Sequence, residues 1–174
     1  ATVAREKGLE PLAMRILAQP NDGDPRTDAQ NFIDAEKGVE SIDDALEGAN
    51  DIVAEIISEN ANAREFLRDF MVSTGEMVSK VVDDKKDERS KFEQYYDYHE
   101  PVSAFRGHRF LAIRRGEKEG FLRSEIAVDE DTAVAKLLGI MNCRPGTPYA
   151  EALSVAARDA FERLLASSIE SDVH

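Results

Sequence analysis

The stretch RGHRFLAIRRGEKEGFL, Arg106 to Leu122, decides the class of fold, because its hydrophobic pattern changes period partway along. Phe105, Arg109, Ala112 and Ile113 recur at helical spacing, and Phe110 and Leu111 widen that face. Gly116 predicts the stop of the helix, and FLRSEIAV from Phe121 then alternates as a strand does. The same window is the one strongly basic stretch of an acidic chain. From Arg106 to Arg123 six cations face two acids, a net +4 in a protein of net charge −13, so the remaining residues carry −17. Cations near a helix C-terminus complement the macrodipole, which suffices to explain Arg114 and Arg115. A phosphate-facing strip is the sharper alternative, and it makes Arg106, Arg109, Arg114, Arg115 and Lys118 the candidate nucleic-acid-binding residues.

Working outward, the segment after the strand reads as helix. Asp129, Glu130 and Asp131 stand where acids favour a helix start, and Val134, Leu137, Leu138 and Met141 supply its apolar face. RPGTP at 144–148 breaks it. Thr147 as cap and Pro148 at the first helical position then predict a long final helix lined by Leu153, Ala157, Ala160, Phe161, Leu164 and Leu165. Upstream, MVSKVV at 77–82 alternates and is the expected partner of the strand at 121–128. Phe92, Tyr95, Tyr96 and Tyr98 lie among Glu93, Asp97 and Glu100, so packing with hydroxyls turned to solvent is expected of them rather than base stacking.

The clearest helix is at 42–57. Ile42, Leu46, Ala49, Val53 and Ile56 are spaced 4, 3, 4 and 3, with Ala45, Ile52 and Ile57 broadening the face, and Ser41 with Asp44 forms a capping pair. Asn62 with Glu65 predicts the cap of a following helix bearing Phe66, Leu67, Phe70 and Met71, and the two stripes predict a helical hairpin. Thr2 to Gln19 reads as helix interrupted at Gly8 to Pro11, and Thr27 to Ala35 as a short helix closed at Gly38. QPNDGD between them is turn chemistry. Phe32 stands where a calcium loop starting at Asn21 needs a bidentate acid, which excludes an EF-hand. The fold class expected is mainly α, with a small two-stranded β element at about 77–82 and 121–128. The expected division is an N-terminal helical segment, 1–35, and a central helical region, 36–174.

With 174 residues, 42% hydrophobic and 33% charged, the chain can bury a real core beneath much solvated surface. Its acidity opposes wrapping of a polyanion by the whole chain. Cys143 is the lone cysteine, so no internal disulfide forms. His99, His108 and His174 lack partners at ligand or triad spacing. There is no GxGxxG, GxxxxGK[ST], HExxH or GxSxG, so neither catalysis nor a metal nor a cofactor is expected. No apolar run is long enough for a membrane span. Both ends fall within helical phrases, as in a piece of a longer protein.

Several phrases together resemble one family. AREKGLEPLA at 4–13, EKGVESIDDALEGANDIVAEIISENA at 36–61, KFEQYYDYHEPVSAFRGHRFLAIRRGEKEGFL at 91–122 and RDAFERLLASSIES at 158–171 are similar to the Tex transcription-accessory family, bacterial relatives of a eukaryotic histone-chaperone elongation factor. HRFLAIRRGEKEGFL is the most specific of them. The resemblance implies the helical region between an N-terminal helix-turn-helix segment and an RNase H-like (YqgF) domain, with helix-hairpin-helix and S1 RNA-binding domains further along. It implies a cytoplasmic, non-catalytic transcription protein whose RNA or DNA contacts lie mainly in those other domains, with the transcription machinery as a further partner. Two positions depart from the family: Gly107 stands where serine is usual, and Ala166-Ser167-Ser168 where the family has a proline and a more basic ending. The region is therefore expected to act as a helical scaffold. Direct binding through the 106–123 strip and protein docking through the acidic helices are the rivals.

Overall fold

A computed structural model describes residues 1–171, with side chains through Ala166. Its elements run α1 (Thr2–Glu6), α2 (Glu10–Ala18), α3 (Pro25–Gln30), α4 (Ile42–Glu59), α5 (Ala61–Thr74), β1 (Glu76–Val81), β2 (Asp97–Pro101), α6 (Gly107–Lys118), β3 (Leu122–Ala127), α7 (Glu130–Ile140) and α8 (Ala150–Ser171). The protein is thus mainly α with a small sheet, and it divides into two compact units. Residues 1–64 with 130–164 form a helical unit. Residues 65–129, with 165–171, form a unit that holds the sheet.

The helical unit is built on α4. The Asp44 N–H donates to Ser41 Oγ at 3.1 Å, and the Glu40 N–H donates to the Asp44 carboxylate at 3.1 Å, so the helix start is fixed from both sides. Ala45, Ala49, Ile52, Val53, Ala54 and Ile57 are completely buried. Ile42, Leu46 and Ile56 of the expected stripe are only partly covered, so the buried face is rotated toward Ile52 and Ile57. The cover of α4 within its own unit comes from α1, α2 and α3, and α8 reaches it by hydrogen bonds. Leu67 and Phe70 of α5, expected to cover α4, belong to the other unit. Leu9 packs so close that a Cβ on Gly48 would stand 2.2 Å from its Cδ1. Absence of a side chain there is what lets the two backbones approach.

Other start signals moved by a few residues. Asn60, not Asn62, caps α5 by accepting the Ala63 N–H at 2.9 Å. Thr147 does not cap α8; its hydroxyl donates to the Arg144 carbonyl at 2.8 Å, and α8 begins at Ala150. Tyr149 just before it is completely buried and its hydroxyl donates to Asp28, which also receives Arg15 Nε at 2.6 Å. Burial and the hydrogen bond to Asp28 push the Tyr149 hydroxyl pKa up. Asp24 of the rejected calcium loop is the N-cap of α3.

In the other unit the strand order is β2-β1-β3, antiparallel throughout. The expected pairing of β1 with β3 is present, with Met77 opposite Ile126 and Ser79 opposite Ser124. The third strand, β2, was not among the two expected. Met77, Ser79, Leu122 and Ile126 point inward, and the buried Ser79 hydroxyl donates to the Tyr95 carbonyl at 2.8 Å. Phe92, Tyr95, Ile113 and Leu122 form the core beside α6. Tyr96 turns its hydroxyl not to solvent but onto the Glu88 carbonyl at 2.7 Å. Gly116 does not stop α6. It lies buried inside the helix, where a Cβ would meet Leu122 Cδ1 at 2.4 Å and Cγ at 2.7 Å. The chain turns instead at Gly120, with φ +84°.

Two stability tests follow from this packing. In urea melts Ile52→Ala loses about 2–5 kcal/mol as a core deletion, whereas Leu46→Ala, half covered, loses about 1 kcal/mol. Glycine changes split by sign: Gly116→Ala destabilises by about 1–2 kcal/mol through overpacking, whereas Gly139→Ala in α7, with open space around it, stabilises by about 0.5–1 kcal/mol.

Candidate nucleic-acid interface

The basic strip belongs almost entirely to α6, and at 100° per residue its cations leave the helix in different directions. Arg109 lies on the inward side. Its Nε and Nη2 donate to Oε1 and Oε2 of Glu100 in β2 at 2.7 and 3.0 Å, and Nη2 also donates to the Ala104 carbonyl at 3.1 Å. The two side chains are 26% and 13% exposed. The hydrogen bond to Glu100 raises the guanidinium pKa further above its ordinary value. Close by, burial and then a hydrogen bond with Glu100 push the Tyr98 hydroxyl up. A bidentate fork already closed on a carboxylate is not open to a phosphate.

Arg114 leans back on its own helix. Its guanidinium carbon stands 5.2 Å from the Phe110 ring centroid, within cation–π reach, and Nη1 is 3.9 Å from Glu117 Oε1. Glu117 Oε1 itself accepts the Ser124 hydroxyl at 2.9 Å. Arg106 is the N-cap residue of α6 and supplies no side-chain cap; Gly107, the departure from the family pattern, is the first helical residue. Arg106, Arg115 and Lys118 are exposed and have no partner among the described residues. Arg115 and Lys118 share a solvent stripe with His108 and with Leu111, which is 65% exposed. Arg106 stands at the far end of the helix, about 18 Å from Lys118. So the structure brings together Arg115, Lys118 and, in part, Arg114; it turns Arg109 away and separates Arg106.

Three neighbouring lysines are already paired. Lys80 pairs with Asp97, Lys85 with Glu88 at 3.4 Å and Lys91 with Glu119 at 3.6 Å. Phe92 and Tyr95 are buried, so they offer no face for stacking bases. His99 Nδ1 lies 4.0 Å from Glu76, His108 is exposed, and His174 falls outside the described residues. Among the described residues no three histidine, cysteine, aspartate or glutamate side chains come together as metal ligands. No described helix is long and apolar enough to cross a membrane.

A cleft in the helical unit escaped the sequence reading. It has a volume of about 420 Å³ and is lined by Ile16, Leu46, Asn50, Val53, Ala152 and Val155, with Asp24 and Glu151 also on its wall. These residues come from four segments distant in sequence, and Leu46 had been read as core. No single local pattern could have signalled it.

The two classes of arginine are distinguishable by thermal melts monitored by circular dichroism. Arg109→Met and Glu100→Gln each lower the midpoint, and the double variant is no worse than the sum and recovers part of the loss. Arg115→Met leaves the midpoint unchanged.

Comparison with known proteins bears directly on this chain. Residues 20–173 match the family model described as Tex central region-like. An uncharacterized protein, YdcI, of Bacillus subtilis is 37% identical over 99% of this chain and 24% of its own length. Protein tex of Bordetella pertussis is 38% identical over 75% of the chain and 16% of its own length. Transcriptional accessory protein Tex of Neisseria gonorrhoeae is 37% identical over 75% and 17% respectively. The chain therefore spans a quarter or less of these curated relatives. It belongs to the Tex family, with the central region of that family at residues 20–173.

Proposed function

We propose that this region is a helical scaffold of a Tex-type transcription accessory protein, holding flanking domains in register rather than gripping nucleic acid itself. The observation that carries the reading is the Arg109–Glu100 fork, which commits the best-placed arginine of the basic strip to the sheet. In this reading RNA or DNA is held mainly by other domains of the longer protein, and the transcription machinery is a further partner. The reading also assigns the protein to the cytoplasm. It assigns this region no catalytic or cofactor chemistry, on the lack of phosphate-loop, zinc and nucleophile-elbow spacings in its sequence. Direct binding through Arg115 and Lys118 is the second reading, favoured by their exposure without partners among the described residues.

Titration of labelled single-stranded RNA separates the two. The 174-residue chain binds weakly at physiological salt with a shallow slope, since the slope scales with phosphate contacts at about −0.7 each for single strands. A full-length Tex-family protein binds far more tightly. Replacing Arg106, Arg115 and Lys118 by alanine within that longer protein changes its affinity by less than about threefold if these cations make no specific contact. Near-equal binding by chain and full-length protein, lost in the folded triple variant, would make the strip the site and overturn the scaffold reading.

A further inference from the structure

We propose that the cleft of the helical unit docks a short amphipathic segment of another protein, one that presents an apolar anchor flanked by lysine or arginine. The proposal goes beyond the scaffold reading and does not depend on it. The floor of the cleft is apolar and fixed: Ile16 is 2% exposed and Val53 is completely buried. Its lips are apolar as well. Leu46 is half covered, and Val155 is 55% exposed on a helix where Leu153, Ala156, Ala157 and Ala160 are completely buried. A volume of about 420 Å³ falls in the range of sites that enclose a ligand group, enough for one or two large side chains. An apolar groove between helices is the form that takes an amphipathic helix by its anchor residues.

Charge selects the partner. The unit carries nineteen acidic and ten basic side chains. Five of its arginines are already neutralised: Arg5 by Glu55, Arg15 by Asp28, Arg26 by Asp43, Arg158 by Glu130 and Asp131, and Arg163 by Asp51 and Asp159. Among the described residues Arg26 is the one cation on the cleft wall, and Asp43 holds it at 3.0 Å. Glu151 on the same wall has no partner among the described residues. The wall also carries Asn50, whose Nδ2 donates to Asp159 at 3.2 Å while Oδ1 is left without a donor among the described residues. An acidic peptide or a nucleic-acid backbone meets repulsion here. A basic flank on an apolar anchor gains on both counts, and the attraction weakens with salt.

The test uses the 174-residue chain and two fluorescein-labelled synthetic helical peptides with the same leucine stripe, one bearing lysine and the other glutamate at its polar positions. Fluorescence anisotropy should show saturable binding of the lysine peptide and none of the glutamate peptide. Val155→Arg, at an exposed position that leaves the core untouched, should weaken the lysine peptide tenfold or more. Ala152→Arg should do the same, with circular dichroism melts to confirm that each variant is folded. Met14→Arg, in the same unit, 41% exposed and away from the cleft, adds the same charge and should leave binding unchanged. Equal binding of the two peptides, no saturable binding of either, or an effect of Met14→Arg as large as that of Val155→Arg would overturn the proposal. None of these outcomes touches the scaffold reading, which the RNA titration decides.

Discussion

α4 cannot exist as a solvated helix. Six of its side chains are completely buried, and their directions span more than one face, so several neighbours must cover it at once. The helical unit is the solution to that requirement. α1, α2 and α3 cover it from residues before it in the chain. α8 returns from more than a hundred residues later, tied by Asn50 to Asp159 and by Arg163 to Asp51. Gly48 lets Leu9 sink against the helix. Residues 1–19 precede the span matched by the family, yet Leu9, Leu12, Ala13 and Ile16 are among the most deeply buried side chains of the unit. Physically they belong to the core, and the compact unit begins before the family match does.

The sheet unit meets a similar requirement with fewer elements. A three-stranded sheet needs a cover for one face, and α6 with the aromatic loop before β2 provides it. Close approach depends on Gly116, whose missing side chain makes room for Leu122. The polar groups carried inward are satisfied: Ser79 by the Tyr95 carbonyl, Glu100 by Arg109. This is why the basic strip reads differently in three dimensions. Removing the partner of a largely buried carboxylate leaves an uncompensated charge, so Arg109 is bound to the fold before it is available to anything else. Of the strip, Arg106, Arg115 and Lys118 are without a partner among the described residues, and Arg115 with Lys118 makes a small stripe beside an exposed leucine on a protein of net charge −13. Such a stripe supports weak electrostatic contact rather than a dedicated grip on a nucleic-acid strand.

The sequence by itself determined whatever rests on neighbours a few residues apart. The Ser41–Asp44 capping, a helix over 42–57, strands at about 77–82 and 121–128 and the mainly α class all follow from short-range spacing, and the structure contains them with ends shifted by a residue or two. The family was legible too, from the phrases at 36–61 and 91–122. Tertiary structure alone decided the rest. β2 forms because β1 offers it an edge, not because its residues alternate. Gly116 reads as a stop by propensity, but a glycine buried under Leu122 and Phe92 is worth more inside a helix than at its end. Arg109 and Glu100 are nine residues apart on a helix and a strand, so their pairing depends on how α6 lies on the sheet. The cleft is assembled from α2, the start of α3, α4 and α8, and Leu46 became its lip when α4 rotated to bury Ile52 instead. Local patterns give the direction of a side chain about its own helix; which direction is inward depends on the neighbours that arrive, and those are long-range facts.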